Sequence, residues 1–142
     1  PVTFDLKGLK SKLAELTENN VCKWPCYDRI LHNPVEDAIV IDADIILLEG
    51  NYLLLDIEGW SDLSKYADYT IALTASEELL RERLITRRIA TGVKKEDAEK
   101  VVDFSDMANV KLCLEKTKRA DLELEVSGDG GIRGCLSPKG QK

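Results

Sequence analysis

Leu6, Leu9, Leu13 and Leu16 recur at three- and four-residue steps, the spacing that lines one face of an α-helix. Asp5 precedes them where an N-cap belongs, and Phe4 is placed to pack on Leu9, four positions into the helix. "TENN" (17–20) ends the stripe. The next stretch, "VCKWPCYDRILHNP" (21–34), contains Pro25 and Pro34 and has no clean period. It reads as a loop with room for one short strand.

Beyond it, "AIVI" (38–41) suits a short strand. "DIILLEG" (44–50) suits a buried one, because an unbroken apolar run fits a strand covered on both faces. "GWSDLSKYAD" (59–68) is a connector with a helical turn, and "YTIALT" (69–74) is a further strand. Thr74-x-x-Glu77 is a capping box with Ser76 as a rival cap, so a helix should run from about Ser76 to Thr91 and stop at Gly92. A second helical region, 94–118, opens with Glu96 and Asp97 and closes with Lys116 and Lys118, as the helix dipole favours. "FSDM" (104–107) is the place where it would break. "DLELEV" (121–126) is another strand. Strands alternating with helices predict an α/β fold with a parallel sheet. No internal repeat is present. Five of the nine glycines fall after Val126, so residues 127–142 are expected to be a mobile tail.

Composition narrows the classes. The chain has 142 residues, 44% hydrophobic and 32% charged, with net charge −6, which suits one globular domain. The acidic balance argues against a general nucleic-acid or anionic-membrane binder. No run reaches the roughly 18 apolar residues of a membrane span, and no basic-then-apolar leader opens the chain. The first residue is Pro1, as expected of a processed start or of a piece of a longer chain. Cys22 and Cys26 have no second pair at metal-ligand spacing, and there is one histidine. Reduced thiols in the cytoplasm or an organelle matrix are therefore expected, rather than a structural zinc site.

Two stretches carry candidate chemistry. "IILLEGNYLLLD" (45–56) places Glu49 at the end of an apolar run, where a carboxylate could meet a metal or phosphate. "PCYDRILHNP" (25–34) groups Tyr27, Asp28 and His32. Their order, with "EGNYLLLD" followed by "GW", resembles the uridine kinase / phosphoribulokinase-like family of P-loop kinases, and within it a branch of uncharacterised kinases or nucleoside triphosphate hydrolases. The resemblance runs from about Pro1 to Val126.

That resemblance implies a P-loop NTPase-like parallel sheet with flanking helices, ATP and Mg2+ as cofactors of the complete enzyme, and a small-molecule phosphoryl acceptor. It implies that Glu49 serves magnesium. It implies that Tyr27, Asp28 and His32 form the acceptor segment, a carboxylate accepting sugar hydroxyls while rings offer their faces. Arg83, Arg87 and Arg88, with Arg81, crowd one predicted helix and match a lid that closes over the triphosphate. Asn109 matches an asparagine of the branch. The plain alternatives are a solvent-facing strand-end acid, a turn acid with a half-buried Tyr and His, and a basic helix face paired with Glu77, Glu78 and Glu82.

One expected part is missing. No G-x-x-x-x-G-K-[ST] occurs in the 142 residues. The glycine-rich "SGDGGIRGCLSPKG" (127–140) fits neither phosphate-loop template, since no Gly-Lys-Ser/Thr follows and the sixth position of a G-x-G-x-x-G begun at Gly128 is Arg133. The chain therefore reads as the C-terminal portion of an ATP-dependent small-molecule kinase, lacking the N-terminal P-loop half. Alone it should neither turn over nor hold ATP tightly. The alternative is a stand-alone, non-catalytic remnant acting as a binding or regulatory module.

Overall fold

The computed structural model describes residues 4–28, 30 and 33–136. The first helix, α1 (Leu6–Asn19), is closed at both ends as its sequence predicts. The Asp5 carboxylate accepts from the Gly8 amide at 2.9 Å. Asn20, at φ 57°, caps the other end and donates its N–H to the Leu16 carbonyl, the left-handed stop that asparagine tolerates. Phe4 forms edge-to-face contacts with Tyr52 and Trp60, centroids 5.4 and 6.0 Å away.

Residues 21–34 hold more regular structure than expected. β1 (Cys22–Asp28) pairs antiparallel with β2 (Asn33–Ile41). The ladder slips between Trp24 and Cys26, at Pro25, which has no N–H to offer. Opposite the slip, Asp37 sits at φ 55° and accepts from Lys12 Nζ at 2.9 Å. β2 is exposed along nearly its whole length, so no alternation betrays it in the sequence.

The buried strand expected at 44–50 is absent. Residues 42–50 have no strand pairing, and Ile45 and Leu47 are 89% and 87% exposed. Apolar, strand-forming composition expresses a preference for burial, which this stretch does not achieve, and a strand exists only where a neighbouring edge takes its hydrogen bonds. Among the described residues none does so here.

The chain then turns inward. Tyr52, Leu55, Trp60 and Leu63 join Leu13 in the first core, flanked by Leu6, Leu9, Trp24 and Leu112. The "EGNYLLLD…GW" stretch is thus a packing unit: Leu55 is 0% exposed, and the Asp56 amide and Leu54 carbonyl bond Lys116 and Lys118, each at 2.7 Å. Burial pushes the Tyr52 phenol above its ordinary pKa.

β3 (Ile71–Thr74) and β4 (Leu122–Val126) run parallel, Ile71 opposite Leu122. A parallel pair needs a long crossover, supplied by α2 (Glu77–Ala90), α3 (Lys95–Val101), a π segment (Val102–Asp106) and α4 (Met107–Lys116). The strands start in step because Thr70 donates from N and Oγ1 to Asp121 Oδ2 at 2.9 and 2.8 Å, and the Asp121 amide donates back to Thr70 Oγ1 at 3.0 Å. Ser76, not Thr74, caps α2, accepting from Leu79 N at 3.2 Å. Ile85, Ala98, Val102 and Met107 form a second core between the crossover helices. Within the segment expected to be a tail, β5 (Ile132–Leu136) pairs antiparallel with β4, giving the order β3-β4-β5. Among the described residues no helix is long and apolar enough to cross a membrane.

Candidate functional site

An α-helix turns about 100° per residue, so the arginines of α2 cannot all face one way. Arg83 and Arg87, one turn apart, share a face; Arg81 and Arg88, two turns apart, share the opposite one. The structure gives the two faces different surroundings.

Arg81 and Arg88 point at the π segment. Arg81 donates from Nε and Nη2 to the two oxygens of Asp103 at 2.6 and 2.9 Å. Arg88 donates from Nε and Nη2 to Asp106 Oδ2 at 2.9 and 2.7 Å. The guanidinium holds the Asp103 carboxyl below its ordinary pKa. These acids lie three residues apart on either side of Phe104 and Ser105. The alternative pairing with Glu77, Glu78 and Glu82 is not seen among the described residues; Glu77 is 3.6 Å from Lys111.

Arg83 and Arg87 line an open groove of about 370 Å³ with Leu79, Glu82, Thr86, Ala90 and Gly128. Neither has a hydrogen-bond or ion-pair partner among the described residues. Gly128, in the turn between β4 and β5, forms the far wall. That turn is tight: Ser127 Oγ and the Gly131 amide both donate to Asp129 Oδ1, at 2.5 and 2.9 Å.

Of the other candidates, neither Tyr27, Asp28 nor Glu49 lines this groove. Glu49 is exposed in the unpaired 42–50 stretch rather than at a strand end. Tyr27 and Asp28 close β1, opposite Pro34 and Asn33. Tyr27 is 59% exposed, and Asp28 Oδ1 accepts from the Ile30 amide at 2.7 Å. His32 lies outside the described residues. Asn109 donates to the Ser105 carbonyl at 3.5 Å. No cluster of three His, Cys, Asp or Glu fit to hold a metal occurs among the described residues. A lone exposed carboxylate still fits magnesium, which keeps its waters and binds through one or two carboxylates plus phosphate oxygens.

No protein-family model matches the chain. It is 41% identical over 130 residues to the uncharacterized protein YggC of Escherichia coli (strain K12), covering 92% of this chain and 54% of that one. The ATP-dependent kinase YFH7 of Eremothecium gossypii is 32% identical over 118 residues, 77% of this chain and 35% of its own length. A uridine kinase of Clostridium botulinum (strain Langeland) is 34% identical over 85 residues, 58% and 41%. A solved structure from Silicibacter sp. TM1040, provisionally assigned as a fructose transport system kinase, superposes at a TM-score of 0.80 with 29% identity, covering 87% of this chain and 61% of that one. The chain is thus homologous, over most of its length, to uridine kinase-like P-loop kinases. Its parallel β3–β4 pair with helical crossover is part of that family's α/β fold, and it spans about half, or less, of the length of the curated relatives it matches. Uridine kinase-like relatives include ATP-dependent enzymes, whose reaction needs a phosphoryl acceptor.

The arginine faces were readable from spacing alone. The acids that take two of the arginines, and the β4–β5 turn that walls the groove, were not. The one available signal was "DFSD" (103–106), a pair of acids at a suspected helix break.

Proposed function

We propose that this chain is the C-terminal portion of an ATP-dependent small-molecule kinase, contributing groups that position and neutralise a transferring phosphoryl group. The observation that carries this is the open pair Arg83 and Arg87 on a crossover helix of a kinase fold. Two guanidiniums without acid partners suit an anion with several oxygens. In the complete enzyme Glu49 would supply one magnesium ligand, the metal neutralising charge on the phosphates. Tyr27 and Asp28, at the β1–β2 tip, would hold the acceptor together with His32. The P-loop amides would have to come from residues outside these 142, so the isolated chain should bind ATP weakly.

The test uses this chain joined to the P-loop segment of a relative, assayed for magnesium-dependent ATP turnover against hydroxyl acceptors. Glu49→Gln keeps the shape but removes a negative ligand, so turnover should fall steeply and partly recover at high magnesium. Asp28→Asn should raise the acceptor KM and leave the ATP and magnesium dependence alone. Wild-type kinetics for Glu49→Gln would end the magnesium assignment.

A further inference from the structure

The arginines of α2 are chemically alike but differently committed. Arg81 and Arg88 each spend two N–H groups on an aspartate of the π segment. Arg88 is only partly exposed in that pairing, its side chain at 35% and Asp106 at 22%. Arg83 and Arg87 face the groove instead. Like charges one turn apart repel by a few tenths of a kcal/mol. Glu82 is the single carboxylate among the groove's lining residues, in a chain whose net charge is −6. Acids are plentiful in this protein, yet this face keeps an excess of positive charge.

We infer that the arginines divide into two sets: Arg83 and Arg87 hold a polyphosphate in the groove walled by the β4–β5 turn, whereas Arg81 and Arg88 are positioning residues that fasten the π segment to α2. The inference rests on the kinase reading, and it removes Arg88 from the phosphate contacts that the family resemblance implies. Ile85 of α2 and the π residue Val102 also share the second core. Fastening the π segment there fixes the roll of α2, and with it the direction in which Arg83 and Arg87 point. The apolar floor of Leu79 and Ala90 makes no claim on a phosphate, but it could meet the rest of a nucleotide.

The test is titration of this chain with inorganic tripolyphosphate, followed by the backbone amide and arginine Nε–H resonances in NMR. Shifts should appear at Arg83, Arg87 and Gly128. Arg83→Gln with Arg87→Gln should weaken binding by about tenfold or more. For Arg88 the deciding variant is the charge exchange Arg88→Asp with Asp106→Arg. As a positioning pair it should recover both the melting temperature and the tripolyphosphate affinity lost in Arg88→Asp alone. If Arg88 touches phosphate, stability returns but affinity does not, and the division is overturned. Absence of any tripolyphosphate shift at Arg83 and Arg87 overturns the groove assignment. Repeating the titration with ATP separates phosphate recognition from nucleotide recognition, since only ATP should shift Leu79 and Ala90. The kinase reading fails by a different result, the absence of turnover in the joined protein.

Discussion

Leu55→Ala and Leu47→Ala remove the same three carbons from two nearby apolar stretches, and the structure assigns them different costs. Leu55 is 0% exposed, enclosed by Leu13, Tyr52, Trp60 and Leu63. Three carbons at about 0.8 kcal/mol each set a floor near 2.4 kcal/mol. The cavity adds to this, because Tyr52 and Trp60, ring centroids 5.6 Å apart, are held in mutual contact and cannot collapse freely into the space. The expected loss is about 3–4 kcal/mol, within the range of buried Leu→Ala changes. For a chain of this size that lowers the melting temperature by roughly 10 °C. Leu47 is 87% exposed, so its truncation should stay within about 0.5 kcal/mol. Urea unfolding followed by circular dichroism, with unchanged slopes, reads both. Equal losses would show that residues 45–48 are buried in solution and refute the account of that stretch.

Removing the first cap, Asp5→Ala, frees the Gly8 amide and should cost about 1 kcal/mol by the same unfolding assay. Acid should destabilise the fold through Asp37, Asp62 and Asp103, whose carboxyls are held below their ordinary pKa chiefly by hydrogen bonds from Lys12, Lys10 and Arg81. Their contribution is complete above the unfolded-state pKa of about 3.9 and is lost as pH falls through the lower folded values. The urea midpoint should therefore be level near neutrality and drop below about pH 4, less steeply in Asp103→Asn.

The crossover was legible because each of its parts obeys a local rule. Ser76 had only to accept one amide, Gly92 had only to adopt its φ of 92°, and the parallel pair followed from the strand–helix–strand order. The β1–β2 hairpin was hidden for the opposite reason. With β2 exposed nearly throughout, no period of two is imposed on its side chains, and Pro25 imitates a loop. Residues 44–50 show what composition cannot carry: Ile45 to Leu48 describe a preference for burial, while pairing depends on what lies alongside. At the site, helical spacing sorted Arg83 and Arg87 from Arg81 and Arg88. Their fates depended on Asp103 and Asp106, some twenty residues on, which the fold alone brings near.

The π segment has a consequence for how this helical region can tolerate change. Val102 and Met107 are five apart, and both face the second core; in a regular α-helix that spacing would put them about 140° apart. The Met107 amide bonds the Val102 carbonyl, closing the wider turn. The segment thus works as a phase adjuster, absorbing one residue more than a regular turn would. Deleting a single residue between Val102 and Met107 would straighten the helix and keep its backbone bonds. It would also reassign the partners of Arg81 and Arg88, so relatives aligned without allowing for that offset would have the wrong aspartate matched to each arginine.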